Sequence, residues 1–252
     1  MNCGAPITDR FCSQCGQDHR LRRLNLREIL LETAKALWSL ELPAIRTIIQ
    51  LSWRPGWVAA EYVAGRRQAF SSPLGFCLLM TALSVLSLQF WGPDLIGMIQ
   101  EPGTTETDPE LLVWMEGVVL IMDASIRYAA LITILLLPLA ATFSRLFFLR
   151  SGRNFAEHCV LGLYLHGQWY LISLLLLPLA VKGIVWAALM TQLSIILLYG
   201  LGAVHFFPGR RWVNALLGLV VGVCYLAALL VIYLVATLVV VIARNPDAFG
   251  PA

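Results

Sequence analysis

The chain has 252 residues, of which 59% are hydrophobic and 13% charged, with a formal net charge of +3 and a mean hydropathy of +0.76. Soluble domains carry roughly 45–50% apolar and about 25% charged residues. A soluble globular protein is therefore excluded, and the expected class is an all-α integral membrane protein.

Residues 1–20 read as loop, rich in Gly, Pro and small polar residues. They hold no apolar stretch of the kind that opens a signal peptide, so the N-terminus is expected to remain in the reducing cytoplasm. Three of the six cysteines, Cys3, Cys12 and Cys15, lie here; Cys77, Cys159 and Cys224 sit singly in apolar runs. Cytoplasmic clustered thiols point to a metal rather than to disulfides. Cys12-x2-Cys15-Gly16 is a knuckle, in which two thiolates reach one ion. Cys3-Gly4 matches the second half of another, whose first cysteine would precede Met1. Zinc takes four tetrahedral ligands. Cys3, Cys12 and Cys15 supply three, and the fourth is His19, a water or a partner's side chain. The expectation is one structural zinc ion, set against a degenerate knuckle that holds no metal.

Residues 21–72 predict amphipathic helices at the membrane surface, each too short to cross. Asn25 caps the first, with Glu28 three residues on. Pro43 and Pro55 suit the first turns of the next two, whose apolar faces are Ile45, Ile48, Ile49 and Trp53, then Trp57, Val58, Tyr62 and Val63, closed by Gly65. Five stretches are long enough to span, at 73–91, 126–148, 158–180, 184–206 and 212–243. The last exceeds a hydrocarbon core of about 30 Å and should tilt or project. Trp91, Trp186 and Trp212 fall near span ends, where aromatic belts sit. Residues 92–125 form an acidic loop, with a short apolar helix at 110–122 that dips into the interface; 244–252 is a short tail. Pro138 should kink the second span. The similar stretches 135–143 and 174–182 allow an inverted repeat of the transporter kind, although Leu, Pro and Ala also recur by chance.

Fifteen of the eighteen Lys and Arg residues fall on the side of the N-terminus and three on the other. The positive-inside rule then places the N-terminus in the cytoplasm and the C-terminus outside. The net charge of +3 divides into about +8 inside and about −5 outside on the same rule. Arg66, Arg67, Arg210 and Arg211, in two Gly-Arg-Arg triplets, sit where anionic lipid headgroups would meet them, or serve only as topology determinants. Nothing argues for nucleic acid. Self-association into a homo-oligomer is compatible with the chain.

Ionisable groups inside a span are costly and mark function by default. Glu157, His158, His166 and Gln168 lie on the third span and His205 ends the fourth, so Glu157, His158 and His205 converge at one depth. Two readings stand: a metal or proton site, or headgroup-level pairing with Arg150 or Arg153 while His166 bonds a neighbouring helix.

Cys3-Gly4, Phe11-Cys12 with Cys15-Gly16-Gln17, Arg54-Pro55-Gly56, Tyr62 with Gly65-Arg66-Arg67 and Pro73, and Glu157-His158 together resemble a bacterial family of zinc-ribbon membrane proteins called domain of unknown function 3667. The resemblance implies a zinc ribbon, a membrane bundle and the bacterial inner membrane. The chain departs from it in lacking the first cysteine. The family brings no activity with it. The leading functional expectation is a non-enzymatic membrane adaptor, whose knuckle docks a cytoplasmic protein. The alternatives are a transporter or channel using His166 and Gln168, and a membrane metalloenzyme using Glu157, His158 and His205.

Overall fold

The computed structural model describes residues 41–91, 109–182 and 185–244, together with Cys12, Gln14, Leu26 and Ile29. Every regular element among them is helical. In chain order these are α1 (Glu41–Trp53), α2 (Trp57–Val63), α3 (Pro73–Trp91), α4 (Pro109–Arg127), α5 (Ala129–Phe147), a 3-10 turn (Leu149–Ser151), α6 (Phe155–Val181), α7 (Val185–Phe206) and α8 (Arg211–Arg244). Five of them, α3 and α5 to α8, are long and apolar enough to cross a membrane. This is the layout of a multi-pass membrane protein.

The middle of the bundle is α6. It touches α3, α5 and α7, and meets α2 at Tyr164 and α1 at Gln168. Residues 156–168 are buried without interruption, so this half of the helix is enclosed all round rather than on one stripe. Its first turn is fixed by a capping box. The Asn154 side chain accepts from the Glu157 amide at 2.8 Å, and the Glu157 carboxylate accepts from the Asn154 amide at 3.1 Å. This is why α6 begins three residues before the apolar run does.

Small residues bring the neighbours close. Gly167 leaves room for Phe76 and Cys77 of α3, Gly162 for Leu137 of α5, and Gly218 and Gly222 let α8 lie against the α7 backbone at Tyr199 and Ile196. The long α8 runs beyond its partners, and α4 covers its far end: Gly117 meets Val241 and Thr237, and Glu116 stands 3.6 Å from Arg244. The expected short interfacial helix thus packs on α8, over Pro109–Arg127. α5 continues through Pro138 to Phe147.

The N-terminal helices occupy a notch. α3 first meets α6 at Tyr164, through Phe76 at 6.0 Å and the Ser71 carbonyl, to which the Tyr164 hydroxyl donates at 2.6 Å. Tyr164 is nine residues past the start of α6, or about 13 Å at 1.5 Å per residue. Here α1 and α2 pack beside α6, and α2 also packs beside α7. Pro43 lies in the first turn of α1 as expected, whereas Pro55 sits in the turn before α2, whose cap is Gly56.

Most of the apolar face of α1 turns away from the bundle, as an amphipathic helix at a membrane surface turns it. Ile45, Ile49 and Trp53 are 58%, 52% and 82% exposed, while Ala44, Thr47 and Leu51 are buried. Around a membrane protein the apolar stripe faces lipid, and the polar Thr47 turns inward to accept from the Ser71 amide at 3.0 Å. Of the helix expected after Asn25, only Leu26 and Ile29 are described; both are helical, with Ile29 in the core.

Candidate functional site

The end of the bundle that carries α1 and α2 is rich in arginine. Arg46, Arg54, Arg145, Arg150, Arg210 and Arg211 are exposed there. The two Gly-Arg-Arg triplets behave differently. Arg210 and Arg211 are open to a headgroup layer, but Arg66 is half-buried and pairs with Glu61 at 2.9 Å, and the Arg67 guanidinium lies 6.0 Å from the Tyr62 ring centre. The first triplet therefore braces α2 rather than standing clear of the protein.

Between α2, the 3-10 turn, the start of α6 and the end of α7 lies a cleft of about 690 Å³. Ala60, Val63, Phe206 and Phe207 form its apolar lining, and Arg153, Glu157 and His205 give it charge and hydrogen-bonding capacity. The Arg153 side chain crosses to α7: Nη2 donates to the Phe206 carbonyl at 3.1 Å, and the guanidinium stacks 4.5 Å over the Phe206 ring. The Phe207 ring stacks on Phe148 at 3.8 Å, and its carbonyl accepts from Asn214 at 2.9 Å. These contacts pin the loop between α7 and α8.

His205 is exposed and points Nδ1 at two carbonyls, Pro55 at 3.1 Å and Leu201 at 3.2 Å. Carbonyls only accept, so these partners assign the ring proton to Nδ1. His158, one residue from Glu157, is turned about 100° from it round α6. It bonds Ser144 of α5 at 2.8 Å and packs 5.3 Å from Phe207, and its buried Nε2 has no hydrogen-bond partner. Glu157 and His205 thus share the cleft, and His158 is separated from them behind Phe207. No group of three His, Cys, Asp or Glu among the described residues is placed to hold a metal ion.

The deeper polar residues fasten helices together. His166 Nδ1 donates to the Gly162 carbonyl at 2.7 Å, and Nε2 accepts the Tyr225 hydroxyl of α8 at 2.9 Å. Gln168 donates to the Leu51 carbonyl of α1 at 3.1 Å. Thr133 and Tyr170 join α5 to α6 at 2.6 Å, and Trp169 donates to the Thr191 carbonyl of α7 at 2.8 Å. His166 and Gln168 accordingly reach different neighbours. Tyr225 and Ser144 carry no sequence signal, being single polar residues in apolar runs. The Asn154-x-x-Glu157 box could have been read from the spacing.

Of the expected zinc ligands only Cys12 is described, and it is 4% exposed. Cys3, Cys15 and His19 lie outside the described residues. The chemistry of the set, three thiols and an imidazole, suits zinc.

The family described as "Protein of unknown function (DUF3667)" matches residues 45–85. The match covers most of α1, all of α2 and the first part of α3, the segment that joins the N-terminal helices to the bundle. No curated protein and no solved structure matches the chain.

Proposed function

We propose that this protein is a non-enzymatic scaffold of the bacterial inner membrane, whose zinc knuckle docks a protein partner on the cytoplasmic side. The observation that carries the reading is how firmly α1 and α2 are tied to the spans. Gln168 holds the Leu51 carbonyl, His205 the Pro55 carbonyl and Tyr164 the Ser71 carbonyl, and the Tyr62 and Tyr164 rings meet edge to face at 6.0 Å. A knuckle upstream of such a joint holds its partner in a set position against the membrane.

The polar groups of the spans favour the same reading. His166 is bonded at both nitrogens and Gln168 braces α1, which is work for a rigid support rather than for a moving pathway. The arginine distribution supports a cytoplasmic N-terminus and, with five spans, an external C-terminus. Three thiols with His19 supply one zinc ion its ligands.

The test is affinity capture from solubilised membranes with the wild type and with Cys12→Ser/Cys15→Ser. The reading expects a protein that co-purifies with the wild type and is lost with the double variant. An unchanged set of co-purifying proteins overturns it.

A further inference from the structure

We propose that the cleft between α2 and the facing ends of α6 and α7 is the headgroup site of a glycerophospholipid. The lipid's phosphate lies by Arg153, its headgroup donors face Glu157 and His205, and an acyl chain follows Leu201 and Leu197 up the outside of α7.

The lining selects this chemistry. Arg153 brings the cleft its positive charge, which attracts a phosphodiester. Two further side chains of the lining, Glu157 and His205, offer acceptors, beside the Ser151 hydroxyl at the rim. Glu157 is a carboxylate, and His205, a lining residue with Nδ1 aimed at Pro55 and Leu201, keeps Nε2 as an acceptor. A ligand complementary to this lining carries one phosphate and, beyond it, hydroxyl or ammonium donors, added to the bonds that Arg153 and Glu157 already make to Phe206 and Asn154. The apolar part of the lining, Ala60, Val63, Phe206 and Phe207, suits a glycerol backbone rather than a wholly polar solute.

Position selects a lipid among phosphate esters. Trp53, two residues before Pro55, and Trp212, at the start of α8, are 82% and 62% exposed, as belt residues at headgroup depth are. Leu197, Leu201 and His205 are spaced i, i+4, i+8 on α7 and share one face. Leu197 and Leu201 are 59% and 52% exposed, so an apolar track leads from the mouth of the cleft along the span. Charge agrees: among the described side chains of this end, nine arginines stand against Glu61 and Glu157.

The experiment is native mass spectrometry of the delipidated full-length protein in detergent, with synthetic phosphatidylglycerol, phosphatidylethanolamine or phosphatidylcholine added. Choline headgroups offer no N–H or O–H donor. The site should retain phosphatidylglycerol or phosphatidylethanolamine at least about tenfold more strongly than phosphatidylcholine. Val63→Trp fills the cleft and should reduce retention about tenfold. His205→Ala, on an exposed position, should reduce it too and decides the matter if Val63→Trp does not fold. Soluble glycerol phosphate in excess should leave the bound lipid in place. Equal retention of phosphatidylcholine, displacement by glycerol phosphate, or wild-type retention by both variants would each overturn the proposal.

Discussion

The backbone of Gly56 lies against that of Gly202, so close that a Cβ on Gly56 would overlap the Gly202 carbonyl oxygen. Gly56 also caps α2 with φ of 80°, a conformation that side-chain-bearing residues rarely adopt. Two independent demands for glycine thus meet where the N-terminal helices join α7. Gly56→Ala should destabilise the joint by about 2–4 kcal/mol, the sum of backbone strain and a rigid clash. Limited proteolysis would read this as faster cleavage within residues 41–72 while α6 to α8 stay protected. Wild-type resistance would mean that the joint is not built as described.

Tyr225 donates to a histidine that is already committed on its other nitrogen. Tyr225→Phe should therefore leave His166 Nε2 without a donor and cost about 1 kcal/mol, the scale of hydrogen bonds between membrane helices. Thermal unfolding in detergent checks this. A loss several times larger would point to a role beyond fastening α6 to α8.

Ser144 and His158 form a buried pair in which only one ring nitrogen is used. Ser144→Ala strands that nitrogen and should cost about 1–3 kcal/mol. The double variant Ser144→Ala/His158→Phe removes both partners and keeps a ring, now apolar, beside Phe207. It should recover most of the loss, because replacing both halves of a pair with apolar groups is nearly neutral. Failure of the double variant to recover would assign His158 a task the packing does not explain.

Most of the architecture is legible in the sequence because span length is a physical requirement of the bilayer. The stretches 73–91 and 184–206 differ from α3 and α7 by at most a residue, and α6 and α8 extend theirs by one to three at each end. What the other face of α1 packs against, through Ala44, Thr47 and Leu51, was less legible. Ile45, Ile49 and Trp53 form an apolar stripe whichever way they face, and only the solvent on the far side, lipid or protein, decides. The site was half legible: ionisable residues in apolar runs stand out, but Ser144, Leu51 and Tyr225 do not. Sequence spacing gave His158 and Glu157 adjacent places, and a helix turns adjacent residues by about 100°, so they serve different neighbours.

Metal content gives a further check on the N-terminal segment. Purified protein should carry roughly one zinc per chain, and Cys12→Ser/Cys15→Ser should remove it, since two of the ligands are lost at once. Elemental analysis decides. Zinc that survives the double variant would have to be bound elsewhere.

The scaffold reading is tested most directly at Gln14, an exposed residue in a turn, between Cys12 and Cys15. A photoreactive amino acid placed there and irradiated in intact membranes should yield a discrete adduct with another protein. That adduct should disappear when Cys12→Ser and Cys15→Ser are added. Adducts confined to lipid or to a second copy of the chain, or a protein adduct indifferent to the two cysteines, would contradict the account.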